Sequence, residues 1–189
     1  MTREQFDDTF SLFQLSEIMQ STKSNSQLKK LLKTFKCSRN IDLEDFLYNK
    51  AVTFEKNLRS RTYIYIDNDT KTIGAYFTIA ISMLYTNNIS PDTIFLLDGY
   101  KNDTQVIPCF LIGQLGKAEV YEKIKIGEYI LEDSIEILDK SHIALGGRFI
   151  LLDAVNDKKL LKFYKKNLFF PVEEDYDGES IKMIRPYFD

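Results

Sequence analysis

The sequence predicts a mixed α/β domain whose helices lie on the faces of a sheet. Strands and amphipathic helices alternate through its second half, an early β-hairpin precedes them, and a composition 44% hydrophobic and 13% aromatic supplies a core. The expected order is β, α, α, β, β, β, α, β, α, β, β.

Thr9 to Ile18 alternates apolar and polar residues and reads as a strand. Ser26 to Phe35 places Leu28, Leu31, Leu32 and Phe35 at helical spacing. Asn40 to Asn57 reads as a second helix, with Asp42 as cap, Asp45 completing a capping box, and Leu43, Phe46, Leu47, Ala51 and Phe54 as its apolar face. Thr62 to Ile66 and Ile73 to Leu84 form a hairpin around the turn-forming residues Asp67 to Lys71. Thr86 to Gln105 is polar and turn-rich, with one short apolar patch at Ile94 to Leu97, and reads as an insertion.

Val106 to Leu115 is a buried strand, Gly127 to Asp139 a helix, and Arg148 to Val155 a second apolar strand. Asp157 to Asn167 is a helix carrying Leu160, Leu161 and Tyr164. Phe169 to Glu173 and Ser180 to Tyr187 are the last strands, joined by a turn at Asp177-Gly178. No internal repeat or Pro/Gly-rich linker interrupts the pattern, so one domain is expected over residues 1–189.

The net charge of -3 argues against a large nucleic-acid footprint, although Lys117, Lys123 and Lys125 form a local basic group. Cys37 and Cys109 have no CxxC spacing and no neighbouring His, which predicts reduced thiols rather than a disulfide framework. One His and two scattered Cys offer no zinc site, and GxSxG and GxxxxGK motifs are absent. The opening MTREQFDDTF is too acidic for a signal peptide, and no apolar run approaches the roughly 20 residues that span a bilayer, so a cytoplasmic protein without membrane contact is expected.

Val106 to Val155 is a strand–loop–helix–strand unit. A helix start beside the end of a strand favours anions through its N–H groups and positive dipole end. Gly127 opens the helix without a Cβ in the way, and Lys123 and Lys125 bring positive charge to the mouth. By itself this loop is also what an ordinary solvated helix start looks like.

The text IPCFLIGQLGKAEVYEKIKIGEYILEDSIEIL from Ile107, then GGRFILLDAVNDKKLLKFYKKNLFF to Phe170, resembles the core of the GNAT superfamily of N-acetyltransferases. Lys162 to Phe169 (KFYKKNLF) is similar to that family's FYxxxGF signature, and Phe35 to Ala51 is similar to the helical opening of a bacterial branch that includes acetylating toxins. The resemblance implies a mostly antiparallel sheet with one splayed parallel pair, Ile107–Leu115 and Arg148–Val155, and acetyl-CoA as co-substrate. Backbone groups of Leu115 and Lys117 would hold the pantetheine arm. The diphosphate would rest on the N–H groups of Lys123, Ile124, Lys125, Ile126, Gly127 and Glu128. Asn156 would contact the cofactor, and Tyr164 would face the thioester sulfur and protonate the leaving thiolate. Of the family's Q/R-x-x-G-x-G/A loop only the final glycine is kept, as Gly127, while Glu122 and Lys125 occupy the other aligned positions.

Glu119, just past the first splayed strand, is the candidate base, acting through water on an amine acceptor. The acceptor is a small molecule, a peptide amine, or the aminoacyl group of a tRNA if the chain is a toxin. A homodimer is compatible with this reading. The alternative is a regulatory module that kept the fold and lost strong coenzyme A binding.

Overall fold

The computed structural model describes residues 1–172 and 178–188. The stretch expected as one strand from Thr9 to Ile18 divides in three. Helix α1 (Arg3–Thr9) ends at Thr9, strand β1 covers Phe10–Gln14, and helix α2 covers Leu15–Ser21. Two capping boxes account for the difference: Thr2 with Gln5 opens α1, and Gln14 with Glu17 opens α2. Leu15 and Ile18, three apart, are the buried residues of α2, which is helical rather than strand spacing.

Helix α3 (Asn25–Leu32) is capped by Ser24, whose side chain accepts from the Gln27 N–H, and it buries Leu28 and Leu32. The next helical run is in three pieces: helix α4 (Ile41–Asp45), a π turn (Phe46–Lys50) and helix α5 (Ala51–Lys56). Its cap is Asn40, which has extended backbone and accepts from the Asp42 N–H; Asp42 lies inside the first turn and Asp45 pairs with Lys50. The expected Asp42–Asp45 capping box is therefore corrected: the cap is Asn40 rather than Asp42.

The π turn explains the burial of this run. An α-helix turns about 100° per residue, so residues four apart drift around the axis by about 40° each time. Leu43, Leu47, Ala51 and Glu55 are spaced by four, yet all are buried. In the wide turn the Ala51 N–H reaches back to the Phe46 carbonyl, the chain rotates more slowly, and part of the drift is cancelled.

The hairpin forms as β2 (Arg61–Asp67) and β3 (Ile73–Tyr85), with the Asp67 carboxylate accepting from the N–H groups of Asp69 and Thr70 in the turn. The expected insertion between Thr86 and Gln105 instead contains helix α6 (Pro91–Asp98). Its start and stop signals are all present: Ser90 caps it, Pro91 opens it, and Gly99 ends it with a left-handed φ of 78°.

Strand β4 (Val106–Lys117) is followed by a 3-10 turn (Glu119–Tyr121) and helix α7 (Gly127–Leu145), which runs past the expected end at Asp139. Then come β5 (Phe149–Val155), helix α8 (Lys158–Lys166) capped by the Asp157 carboxylate, β6 (Phe170–Pro171) and β7 (Ser180–Pro186). Of the expected final strand and turn, Glu173 and Asp177 lie outside the described residues.

Among the described residues seven strands hydrogen-bond in the order β1-β2-β3-β4-β5-β7-β6. The pairs β1–β2, β2–β3, β5–β7 and β6–β7 are antiparallel, and β4–β5 is parallel. The chain divides into two compact units, Met1–Ala80 with Gln114–Ile137, and Ile81–Gly113 with Leu138–Asp189. In the first unit Leu15, Phe35, Leu47, Ala51, Ile64 and Tyr76 are completely buried. Tyr76 also donates its hydroxyl to the Leu43 carbonyl at 2.7 Å, so its one polar atom is satisfied inside the core. In the second unit Leu84, Leu97, Ile107, Phe149, Leu151 and Ile184 form the core. Each buried Leu, Ile or Phe among them contributes about 1.5–3 kcal/mol relative to its exposed state. Both cysteines are free and buried. Among the described residues no helix is long and apolar enough to cross a membrane.

Candidate functional site

Strand β4 organises the site. In the second unit its register with β5 comprises two pairs, Phe110 with Ile150 and Leu111 with Leu151, after which both strands continue. The neighbouring Cys109 and Phe110 are both buried, so this stretch is covered on both faces. The parallel pair is therefore not zipped along its length. A strand whose ladder stops leaves N–H and C=O groups available to another extended chain.

In the first unit, β4 ends in Leu115, Gly116 and Lys117, and the loop to α7 follows. Gly116 permits a close approach: a Cβ there would stand 2.5 Å from a Leu43 methyl carbon. Lys117 folds over the loop and donates its ammonium protons to the carbonyls of Glu122, at 2.9 Å, and Ile124. Burial and the nearby Arg39 charge lower the Lys117 pKa. The Lys117 side chain thus ties the end of β4 to the loop.

Within the loop the Ile124 N–H donates to the Tyr121 carbonyl and the Ile126 N–H to the Ile124 carbonyl. Two of the six amides expected to receive an anion are therefore used in shaping the loop. The Ile126 side chain is completely buried, whereas Lys123 and Lys125 are exposed. Gly127 begins α7, a helix of 19 residues whose positive dipole end faces out of this loop.

Two residues of this region gave no sequence signal because their partners are far along the chain. Arg39 lies 3.0 Å from the Glu122 carboxylate. It balances the negative charge that Glu122 places in the loop. The backbone N–H of Ser38 donates to the Glu119 carboxylate, and hydrogen bonds with Ser38 hold that carboxyl below the usual carboxylate range. The Glu119 N–H donates in turn to the Lys36 carbonyl. Glu119 thus fastens the segment between α3 and α4 as well as carrying a charge.

In the second unit Asn156 follows β5. Its side chain donates to the Gly178 carbonyl at 3.2 Å and its backbone N–H to Glu179. Tyr164 lies on α8, buried between Phe163 and Phe169 with ring centroids at 5.2 and 5.8 Å. Burial pushes its phenol up to about 12. Among the described residues its hydroxyl has no hydrogen-bond partner, and no hydrogen bond joins Tyr164 to Asn156. His142, in the last turn of α7, stacks on Tyr187 at 3.9 Å.

A mixed, mostly antiparallel sheet with one parallel pair, an interrupted ladder in that pair and a helix start beyond its first strand are the features of the GNAT fold, and this chain has that fold. Solved structures similar to this chain include bacterial toxins. The chain matches a mutant of the AtaT toxin, bound to the C-terminus of the antitoxin AtaR and acetyl-CoA, at 18% identity and a TM-score of 0.67, covering 95% of this chain and 94% of that one. It matches a mutant of KacT at 15% identity and a TM-score of 0.70, over 94% and 95%. It matches AtaT complexed with acetyl-methionyl-tRNAfMet at 20% identity and a TM-score of 0.64, over 82% and 86%. No family model matches the chain, and no curated protein matches it in sequence.

Proposed function

We propose that this chain is an acetyl-CoA-dependent N-acetyltransferase. The observation that carries the reading is the ladder between β4 and β5, which stops after two pairs in a chain with the GNAT fold. An extended pantetheine arm, rich in amide groups, suits the backbone of β4 at Leu115 and Lys117, beyond the last pair with β5. The diphosphate suits the start of α7 at Gly127 and Glu128, with Lys123 and Lys125 supplying charge.

The reaction follows from these roles. A neutral amine attacks the thioester carbonyl carbon, and β4 N–H groups polarise the carbonyl oxygen. The tetrahedral intermediate collapses with cleavage of the carbon–sulfur bond. Tyr164 gives its proton to the departing thiolate. The nitrogen loses its proton to water, and Glu119 orients that path. A carboxylate held low is a weak base, so its share of the work is charge and orientation rather than strong proton abstraction.

The acceptor we favour is the amino group of an aminoacyl-tRNA. The fold is shared with AtaT, whose complex with acetyl-methionyl-tRNAfMet is known. In addition α8, which carries Tyr164, has lysine at five of its nine positions. Such a stripe attracts phosphate even on a chain of net charge -3. The same reading places the protein in the cytoplasm, where both substrates occur. Exposed Ile81, Met83 and Tyr85 alternate along β3 on one face, which supports a homodimer; sedimentation tests that part.

Incubation with labelled acetyl-CoA, aminoacyl-tRNA and pooled small amines tests the whole reading. Label on aminoacyl-tRNA supports it, and label only on small amines moves the acceptor. Calorimetry with coenzyme A separates the enzyme from the non-catalytic module: no binding at millimolar ligand favours the module.

A further inference from the structure

The N-terminal helix meets the opening turns of α7 through a set of contacts concentrated on two residues. Tyr129, in the first turn, donates its hydroxyl to the Met1 carbonyl at 3.1 Å. Its ring packs against Phe6 at 5.3 Å between centroids and lies under the Arg3 guanidinium at 5.7 Å. Asp133, one turn further along the same face, accepts from Arg3 on one oxygen at 2.5 Å and from the Tyr65 hydroxyl on the other at 2.6 Å. Tyr65 in turn packs on Phe6 at 5.2 Å, so α1, β2 and α7 close into one ring of contacts.

Hydrophobic burial alone leaves a helix free to slide or rotate by a fraction of an ångström. A bidentate carboxylate with a cation on one oxygen and a phenol on the other fixes both rotation and translation. The start of α7 lies within about one turn of Tyr129, and its dipole end and amides act on an anion only at hydrogen-bond range.

We infer that Arg3, Tyr129 and Asp133 are positioning residues for the diphosphate of the acyl donor: they clamp α7 so that its first amides stand where the anion docks. This rests on the acetyltransferase reading above. The clamp touches neither the thioester nor the acceptor. It therefore governs donor affinity, and only for donors that carry the diphosphate.

The test compares acetyl-CoA with S-acetylpantetheine, which keeps the thioester and lacks the diphosphate, in the full chain and its Arg3→Met, Tyr129→Phe and Asp133→Asn variants. Arg3→Met keeps the apolar stem over Tyr129 and removes the charge. With acetyl-CoA, KM rises on the order of tenfold while kcat stays within about twofold, as expected for a displaced binding group. With S-acetylpantetheine, kcat/KM does not change, and Arg3→Lys recovers part of the loss with acetyl-CoA. Melting curves confirm that each variant is folded. Equal losses with both donors, or unchanged KM for acetyl-CoA, overturn the clamp. Wild-type protein that binds no coenzyme A overturns the cofactor reading itself, and the clamp with it.

Discussion

The Arg39 guanidinium lies 3.0 Å from the Glu122 carboxylate, and both side chains are about half exposed. Glu122 sits in the loop proposed to meet a diphosphate, so this pair decides the local charge. An exposed pair is worth about 0.2–1 kcal/mol, which is roughly a 1.4-fold to fivefold change in affinity. Arg39→Ala is expected to weaken coenzyme A binding by about that factor, and Glu122→Gln to strengthen it by a similar one. The double variant returns to near the wild-type value. Calorimetry at two ionic strengths checks this, with smaller effects at high salt.

Tyr164→Phe should lower kcat by about 10²-fold, the low end for a lost general acid. Its melting temperature should hold, because the hydroxyl has no partner among the described residues. Burial raises the phenol above its ordinary value, so the donor is present below pH about 12 and no alkaline loss of rate below pH 10 traces to it. The sign for stability is the same: the buried neutral phenol contributes fully below its unfolded value of about 10. That contribution fades as the pH climbs through about 12.

Gly74→Ala should destabilise the fold. A Cβ at Gly74 would overlap the Phe10 ring, which Phe6 and Tyr121 hold from other sides. An aromatic ring cannot bend aside as a lysine tip can, so overpacking costs about 1–3 kcal/mol. Chemical denaturation measures the drop in midpoint. Phe10→Leu in the same background should recover part of it.

Replacing Lys158, Lys159 and Lys162 with Ala should weaken aminoacyl-tRNA binding and leave acetyl-CoA binding unchanged. Each phosphate contact removed should flatten the dependence of log K on log salt by about 0.7–0.9. Filter binding across a salt series reads this directly. An unchanged slope removes α8 from the acceptor surface.

The long elements were legible because their signals are local. Val106–Leu115, Arg148–Val155 and the hairpin around Asp67 form near their expected bounds. Helix α6 was missed because its polar flanks outweighed Ser90, Pro91 and Gly99, which together mark a helix start and stop. The strand expected at Thr9 broke up because the capping boxes of Thr2 and Gln14 compete with alternation. Around the loop, Gly127 was legible as the start of α7, whereas the contacts of Arg39 and Ser38 were not. Their partners Glu122 and Glu119 are brought near only by the fold, and no local spacing records that.

The π turn from Phe46 to Lys50 has a consequence for how this chain tolerates length change. Excising one residue from an ordinary helix swings everything downstream by about 100° and strips the far end of its neighbours. Here the surplus residue is already coiled into the wide loop of backbone, so removing exposed Asn49 lets that loop tighten to regular pitch with both flanks left in place. Glu55 would keep its grip on Arg61 and the Thr62 N–H, and the same excision made at Thr53 would tear that carboxylate away.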